Sequence, residues 1–161
     1  MAGLEDLYRE IILDHYRAPR NRGELPVPPA HKVEGFNPLC GDEVVLYIEV
    51  DNDTDTVNDV KIAGQGCSIS QASTSMMSAA VKGKPVAEAR TLTRAFKALM
   101  SIHEQKIGGD TDEVDAAADE LADVRLGDLE ALQGVVKFPV RIKCATLAWN
   151  TLTQGLDELD A

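Results

Sequence analysis

The sequence predicts an α+β fold, a small antiparallel β-sheet with helices packed on one side. Three observations carry the prediction. The chain opens with apolar residues at helical spacing. It continues with two stretches of strand-like alternation joined by a tight turn. Its second half returns to helical spacing, and the order of helix, strands, then helices groups the helices against one sheet.

The first helix rests on Leu4, Leu7, Tyr8, Ile11 and Ile12, at i, i+3, i+4, i+7 and i+8, and ends near Pro19. The stretch PRNRGELPVPPA is rich in turn residues and is expected to wrap the surface. Val44, Leu46, Ile48 and Val50 then alternate with Val45, Tyr47 and Glu49, which predicts a strand with one apolar face. Asp51 to Asp55 reads as a turn, because Asx side chains bond their own backbone, and Val60 and Ile62 mark the return strand of a hairpin. Gly64-Gln65-Gly66 breaks that strand before Cys67. The small residues from Ser68 to Lys82 predict a closely packed helix stopped by Gly83. Pro85 suits the first turn of another helix, whose stripe is Val86, Ala89, Leu92, Phe96, Leu99, Met100 and His103. A weaker helix is expected over Val114 to Val124. Ala145, Ala148, Trp149, Leu152 and Leu156 form the apolar face of a last helix. No internal repeat interrupts this order, and the reading is one domain over 1–161 with an acidic insertion around 108–128.

The bulk numbers narrow the function. At 161 residues and 44% apolar content the chain can bury a sizeable core. A net charge of −11 argues against a general nucleic-acid binder, since affinity for phosphates comes from Lys and Arg. Nine acids and one base fall between Asp110 and Glu130, a composition expected of a solvated face. The longest apolar runs are too short to span a membrane, and the acidic N-terminus is unlike a secretory signal, so a cytoplasmic protein is expected.

Two short patterns fail on inspection. Asp51-x-Asp53-x-Asp55 resembles the start of a calcium loop, but Thr56 and Ile62 stand where glycine and the bidentate glutamate are required. Gly64-x-Gly66 follows a strand and precedes a helix, but Ile69 replaces the third glycine of the dinucleotide fingerprint.

The cysteines are more informative. Cys40, Cys67 and Cys144 are odd in number, which in a cytoplasmic chain points to thiol, metal or redox chemistry rather than a disulfide framework. Each is placed at a boundary: Cys40 on a loop before a strand, Cys67 at a helix start, Cys144 opening the last helix after Phe138-Pro139. There is no C-x-x-C pair, and the separations of 27 and 77 residues do not by themselves decide whether the three thiols meet. Asp42, two residues after Cys40, supplies a fourth donor. Three thiolates and one carboxylate make the number zinc prefers, and thiolate sulfur selects zinc or iron–sulfur chemistry over magnesium or calcium. Such a set around Zn²⁺ carries surplus negative charge, which Arg141 and Lys143 could offset.

The pieces LYREIILDHYRAPRN, NPLCGD, GQGCSISQASTSMM and FPVRIKCATLAW resemble the SufU branch of the IscU/SufU, or NifU-like, family of iron–sulfur cluster assembly proteins. The resemblance covers most of the chain. It implies an α+β fold that gathers the site at one end, with Cys40, Asp42, Cys67 and Cys144 ligating one zinc ion. IscU-like scaffolds carry histidine immediately before the last cysteine, where this chain has Lys143, and their chaperone-binding segment is not evident in VVKFPVRIKC. Both departures favour a zinc-dependent sulfur carrier over a scaffold that assembles a [2Fe–2S] cluster, or transiently binds iron, on the same cysteines. The implied partners are a SufS-type pyridoxal-phosphate cysteine desulfurase and, downstream, a SufBCD-type assembly complex, with neither nucleic acid nor membrane.

Within that reading Cys40 is the sulfur acceptor. The residues agree, since Cys40 lies on a loop between Pro38 and Gly41 while Cys67 and Cys144 are tied to helix starts. The resemblance further implies that a desulfurase histidine replaces Cys40 on zinc during docking. Arg141 and Lys143 are expected to face a partner or the surroundings of the sulfur ligands. Gln65, Ser68, Ser70 and Ser73 are candidates either for hydrogen bonds to ligand sulfurs or for caps and packing. His15 is read as packing or partner-facing, His31 as a loop residue, and His103 as lying near a helix C-terminus; none is assigned to the metal.

Overall fold

In the computed structural model of the chain the described residues are 4–27, 29–38, 41–108, 127, 129, 131, 132, 135 and 139–160. Along them run α1 (Leu4–Arg17), β1 (His31–Asn37), β2 (Asp42–Asp51), β3 (Thr56–Gln65), α2 (Ser68–Val81), α3 (Val86–Gly108) and α4 (Pro139–Asp160). Apart from its end residues Gly108 and Gly127, the expected acidic insertion lies outside the described residues, and so does the helix expected over Val114 to Val124.

The strands form an antiparallel meander in the order β1-β2-β3. Its register puts Val33 opposite Leu46 and Leu46 opposite Ile62, so one face collects Val33, Val44, Leu46, Ile48, Val60 and Ile62, all buried. The β2–β3 turn is closed as its Asx residues predict, with the Asp53 N–H donating to Asp51 Oδ1 at 2.9 Å. The helices cover that apolar face. α4 lies on β1 and β2, α2 on β3, and α3 closes the far side against α4 and α2. Phe96 of α3 stacks on Trp149 of α4 with ring centroids 4.9 Å apart, a pair worth about 0.5–1.5 kcal/mol beyond its buried area.

The small residues of α2 explain its position. Ala72, Ser73, Thr74, Ser75, Met76, Met77 and Ser78 are all buried, because α1, α4 and the sheet each approach a different side of the helix. The serines supply the hydrogen bonds that such burial requires. Ser75 Oγ accepts the Arg20 N–H at 2.8 Å and lies 2.8 Å from His15 Nδ1. Ser78 Oγ lies 3.2 Å from the Arg20 carbonyl. His15 is therefore a buried packing residue that seats α1 on α2.

Three expectations need correction. His31 is not in a loop; it opens β1 opposite Ile48, and its imidazole bonds Glu158 of α4 at 2.5 Å. That bond, and after it the one from Gln154, holds the Glu158 carboxyl below the usual carboxylate range. β1 escaped the sequence because its inward positions are Val33, Gly35 and Asn37, which do not read as an apolar stripe. The turn-rich stretch after α1 does more than wrap the surface. Asn21 and Gly23 bond both backbone groups of Ile62, covering one end of the β3 edge, as the stretch from Gly83 to Val86 covers the other. Lastly, Cys144 does not open the last helix. Pro139 does, as its preset φ and missing N–H allow, and Cys144 falls in the second turn.

Gly35 sets how closely α4 lies on β1. A Cβ there would overlap Thr151 Oγ1 and stand 3.3 Å from Leu147 Cδ1. Gly35→Val is expected to lower stability by about 1–3 kcal/mol through overpacking, read as a lower urea midpoint with an unchanged slope.

Candidate metal centre

The site is built on the hairpin that joins β1 to β2. Asn37 pairs with Asp42 across the strands, and the Gly41 N–H donates to the Asn37 carbonyl at 2.8 Å, closing a four-residue loop. Asp42 stands two residues before Val44 and four before Leu46, so it shares their inward face. Its carboxylate is fully buried under the start of α2. A buried carboxylate is costly without partners. Here Oδ1 accepts the Cys67 N–H at 2.9 Å. Gly66 makes the approach possible, since a Cβ on residue 66 would stand 2.5 Å from Asp42 Oδ1 and 3.1 Å from Asp42 Cα.

Cys67 is the N-cap of α2. Its φ of −69° and ψ of 167° are those of an extended cap residue, and its sulfur accepts the Ser70 N–H at 3.4 Å, the bond a Ser or Asp cap makes with oxygen. The same sulfur lies 3.9 Å from Asp42 Oδ2, the carboxylate oxygen that Cys67 N–H leaves free. An anionic sulfur in this position faces the positive end of the helix dipole. Cys144 arrives from α4 and is fully buried. The two helices are tied beside it, where Ser73 Oγ donates to the Ala145 carbonyl at 2.5 Å.

One donor atom each from Asp42, Cys67 and Cys144 thus lies within 4.8 Å of the others. Tetrahedral zinc with its usual bond lengths holds two sulfurs about 3.8 Å apart, and a sulfur and an oxygen about 3.6 Å apart. The three donors therefore need only a small contraction to fit such an ion. Two thiols with one carboxylate suit zinc rather than a hard cation.

Of the residues singled out in the sequence, the fold gathers Asp42, Cys67 and Cys144; Cys40, with Leu39, lies outside the described residues. Arg141 and Lys143 are exposed, three and one residues before Cys144 on α4. Gln65 is exposed, its amide 3.5 Å from Glu43 Oε2. Ser73 packs α4 rather than touching sulfur, whereas Ser70 touches Cys67 through its backbone. The side chain of His103 is outside the described residues. Gly66 is the residue whose part in the site was missed. It reads as a strand breaker, and only its position just before a cysteine hinted at a close approach.

Residues 7–145 match the family model described as NifU-like N terminal domain. The zinc-dependent sulfurtransferase SufU of Bacillus subtilis is 44% identical over 96% of this chain and 92% of its own length. The iron–sulfur cluster assembly scaffold protein IscU of Streptococcus pyogenes is 38% identical over 97% of this chain and 86% of its own. Among solved structures, a putative iron–sulfur cluster assembly scaffold protein for the SUF system from Fervidobacterium islandicum superposes with a TM-score of 0.72 at 36% identity, covering 96% of this chain and 99% of that one. The N-terminal NifU-like protein of Brucella abortus shares the fold, with a TM-score of 0.73 at 20% identity and 98% coverage of both chains. No helix among the described residues is long and apolar enough to cross a membrane. A matching family model over most of the length, and relatives of both branches matched nearly end to end, make this chain a member of the NifU-like N-terminal domain family, the SufU/IscU family of iron–sulfur cluster assembly proteins.

Proposed function

We propose that the chain is a zinc-dependent sulfur carrier, which accepts sulfane sulfur from a pyridoxal-phosphate cysteine desulfurase on Cys40 and passes it to a SufBCD-type assembly complex. The observation that carries the reading is the convergence of Asp42, Cys67 and Cys144 beside the loop that holds Cys40. Cys40 is two residues from Asp42, so the two Cα atoms are no more than about 7 Å apart. It is the natural fourth donor, and zinc held by the four would keep the thiols deprotonated at neutral pH.

The anchoring of the donors supports a different role for Cys40 than for the other three. Cys67 is held by the cap of α2 and Cys144 by a fully buried helix turn. Asp42 is held by the Cys67 N–H. In sequence Cys40 falls between β1 and β2, outside the helices that hold Cys67 and Cys144, and we take its sulfur as the acceptor. As a thiolate, Cys40 attacks the outer sulfur of the desulfurase cysteine persulfide. The S–S bond of the donor breaks, its electron pair leaves with the desulfurase cysteine as thiolate, and a persulfide forms on Cys40 with no oxidant or reductant consumed. Exposed Arg141 and Lys143 stand on the α4 turn that carries Cys144, positioned to meet a partner's acidic groups. Relatives named IscU support a scaffold reading as the alternative. Lys143 weighs against it, because a protonated ammonium cannot ligate iron.

Incubation with desulfurase and cysteine under anaerobic conditions is expected to add one sulfur, which mass spectrometry maps to Cys40. Cys40→Ser is expected to lower stimulated desulfurase turnover at least tenfold, to the unstimulated level; a variant that stimulates like the parent overturns the assignment. Reconstitution with iron and sulfide is expected to yield no stable cluster absorbance, and a stable [2Fe–2S] spectrum would favour the scaffold. Gly66→Ala is expected to cost about 1–3 kcal/mol of stability and to lower zinc retention against a chelator, because the new methyl displaces the Asp42 carboxylate.

A further inference from the structure

Ser70 poses a problem that the proposed function does not solve. Its side chain is fully buried, and its Oγ has no hydrogen-bond partner among the described residues. Other helical hydroxyls satisfy themselves by donating to a carbonyl one turn back: Thr74 to Ser70, Thr93 to Ala89, Thr146 to Ile142, and Thr153 to Trp149. Ser70 makes no such bond. A buried hydroxyl without a partner costs about 1–3 kcal/mol, so its retention calls for a partner that forms in the working site.

The surrounding contacts locate that partner. One turn toward the N-terminus, the Cys67 sulfur accepts the Ser70 N–H and lies within 4.8 Å of the Cys144 donor atom. Three residues toward the C-terminus on the same helix face, Ser73 Oγ donates to the carbonyl of Ala145, the neighbour of Cys144. Ser70 therefore stands on the seam between α2 and α4, between Cys67, whose sulfur lies within 4.8 Å of the Cys144 donor atom, and Ser73, which bonds the Ala145 carbonyl. A neutral thiol is a weak acceptor there, whereas a thiolate is a strong one.

We infer that the Ser70 hydroxyl is a positioning donor to the Cys144 thiolate, holding that sulfur in place when the site is loaded. The inference rests on the metal-centre reading above. Hydrogen bonds to ligand groups of this kind are worth about 10–100-fold in metal affinity. They also lower the energy of the sulfur lone pairs, which leaves a spectroscopic trace.

The test compares the parent chain with Ser70→Ala and Ser70→Thr, in the apo form and loaded with zinc or cobalt(II). Ser70→Ala is expected to hold zinc 10–100-fold less tightly in chelator competition. Its sulfur-to-cobalt charge-transfer band is expected at longer wavelength than in the parent. Apo Ser70→Ala is expected to melt no lower than the apo parent, since it loses a group without a partner. Ser70→Thr, which keeps the hydroxyl, is expected to restore the parent band. If Ser70→Ala matches the parent in zinc affinity and cobalt spectrum while its apo form melts lower, Ser70 is a packing residue and the inference falls, with the metal centre left standing. If the parent binds neither zinc nor cobalt, the metal centre itself falls and takes this inference with it.

Discussion

The structure of the site depends on one buried charge. Asp42 puts a carboxylate under the N-terminus of α2, away from solvent, and Cys67 N–H is the group that receives it. That bond joins the end of the sheet to the N-cap of a helix. It requires residue 66 to lack a side chain, and it turns the second carboxylate oxygen toward the Cys67 sulfur. A charge so placed is tolerated only when paired or coordinated. A cation at the centre of the three donors meets that requirement better than the peptide N–H alone.

The same constraint explains why α2 is made of small residues. Cys67 can be held at a fixed point only if the helix it caps does not shift. α2 is seated by α1 through His15 and Ser75, by the loop after α1 through Asn21 and Ser78, and by α4 through Ser73. Larger side chains would move each of these neighbours outward and loosen the helix. Gly35 plays the matching part for α4, letting it settle on β1 so that Cys144 reaches the end of the sheet where Asp42 lies.

Much of this was legible in the sequence. The alternation of Val44, Leu46 and Ile48, the Asx turn, the small residues of α2 and the apolar spacing of α3 and α4 are local patterns, and each became the element it predicts. The unread parts depend on groups that carry no hydropathy signal. β1 turns a half-buried glycine and a buried asparagine inward where a strand is expected to show apolar residues, so the sequence reads as a loop with His31 in it. Gly66 reads as a breaker because the carboxylate it accommodates is 24 residues away in sequence. The Phe138-Pro139 break reads as a boundary that puts Cys144 at a helix start, whereas proline begins the helix there. Asp42, by contrast, lies on the inward face by the same alternation as Val44. Its burial was available from the strand pattern, independently of its closeness to Cys40.

The unequal anchoring of the donors bears on how a carrier works. If every sulfur were fixed as Cys67 is, a bound ion would be stable and no thiolate could reach a partner. If every sulfur lay on a loop, chain entropy would oppose assembly of the site. Two sulfurs and a carboxylate fixed by helices and sheet keep three donor positions in place. The Gly41 N–H bond to the Asn37 carbonyl and the Asn37–Asp42 pair fix where the two strands meet. Under the proposed function, the bonds that hold these three donors need not change when a sulfur is passed on.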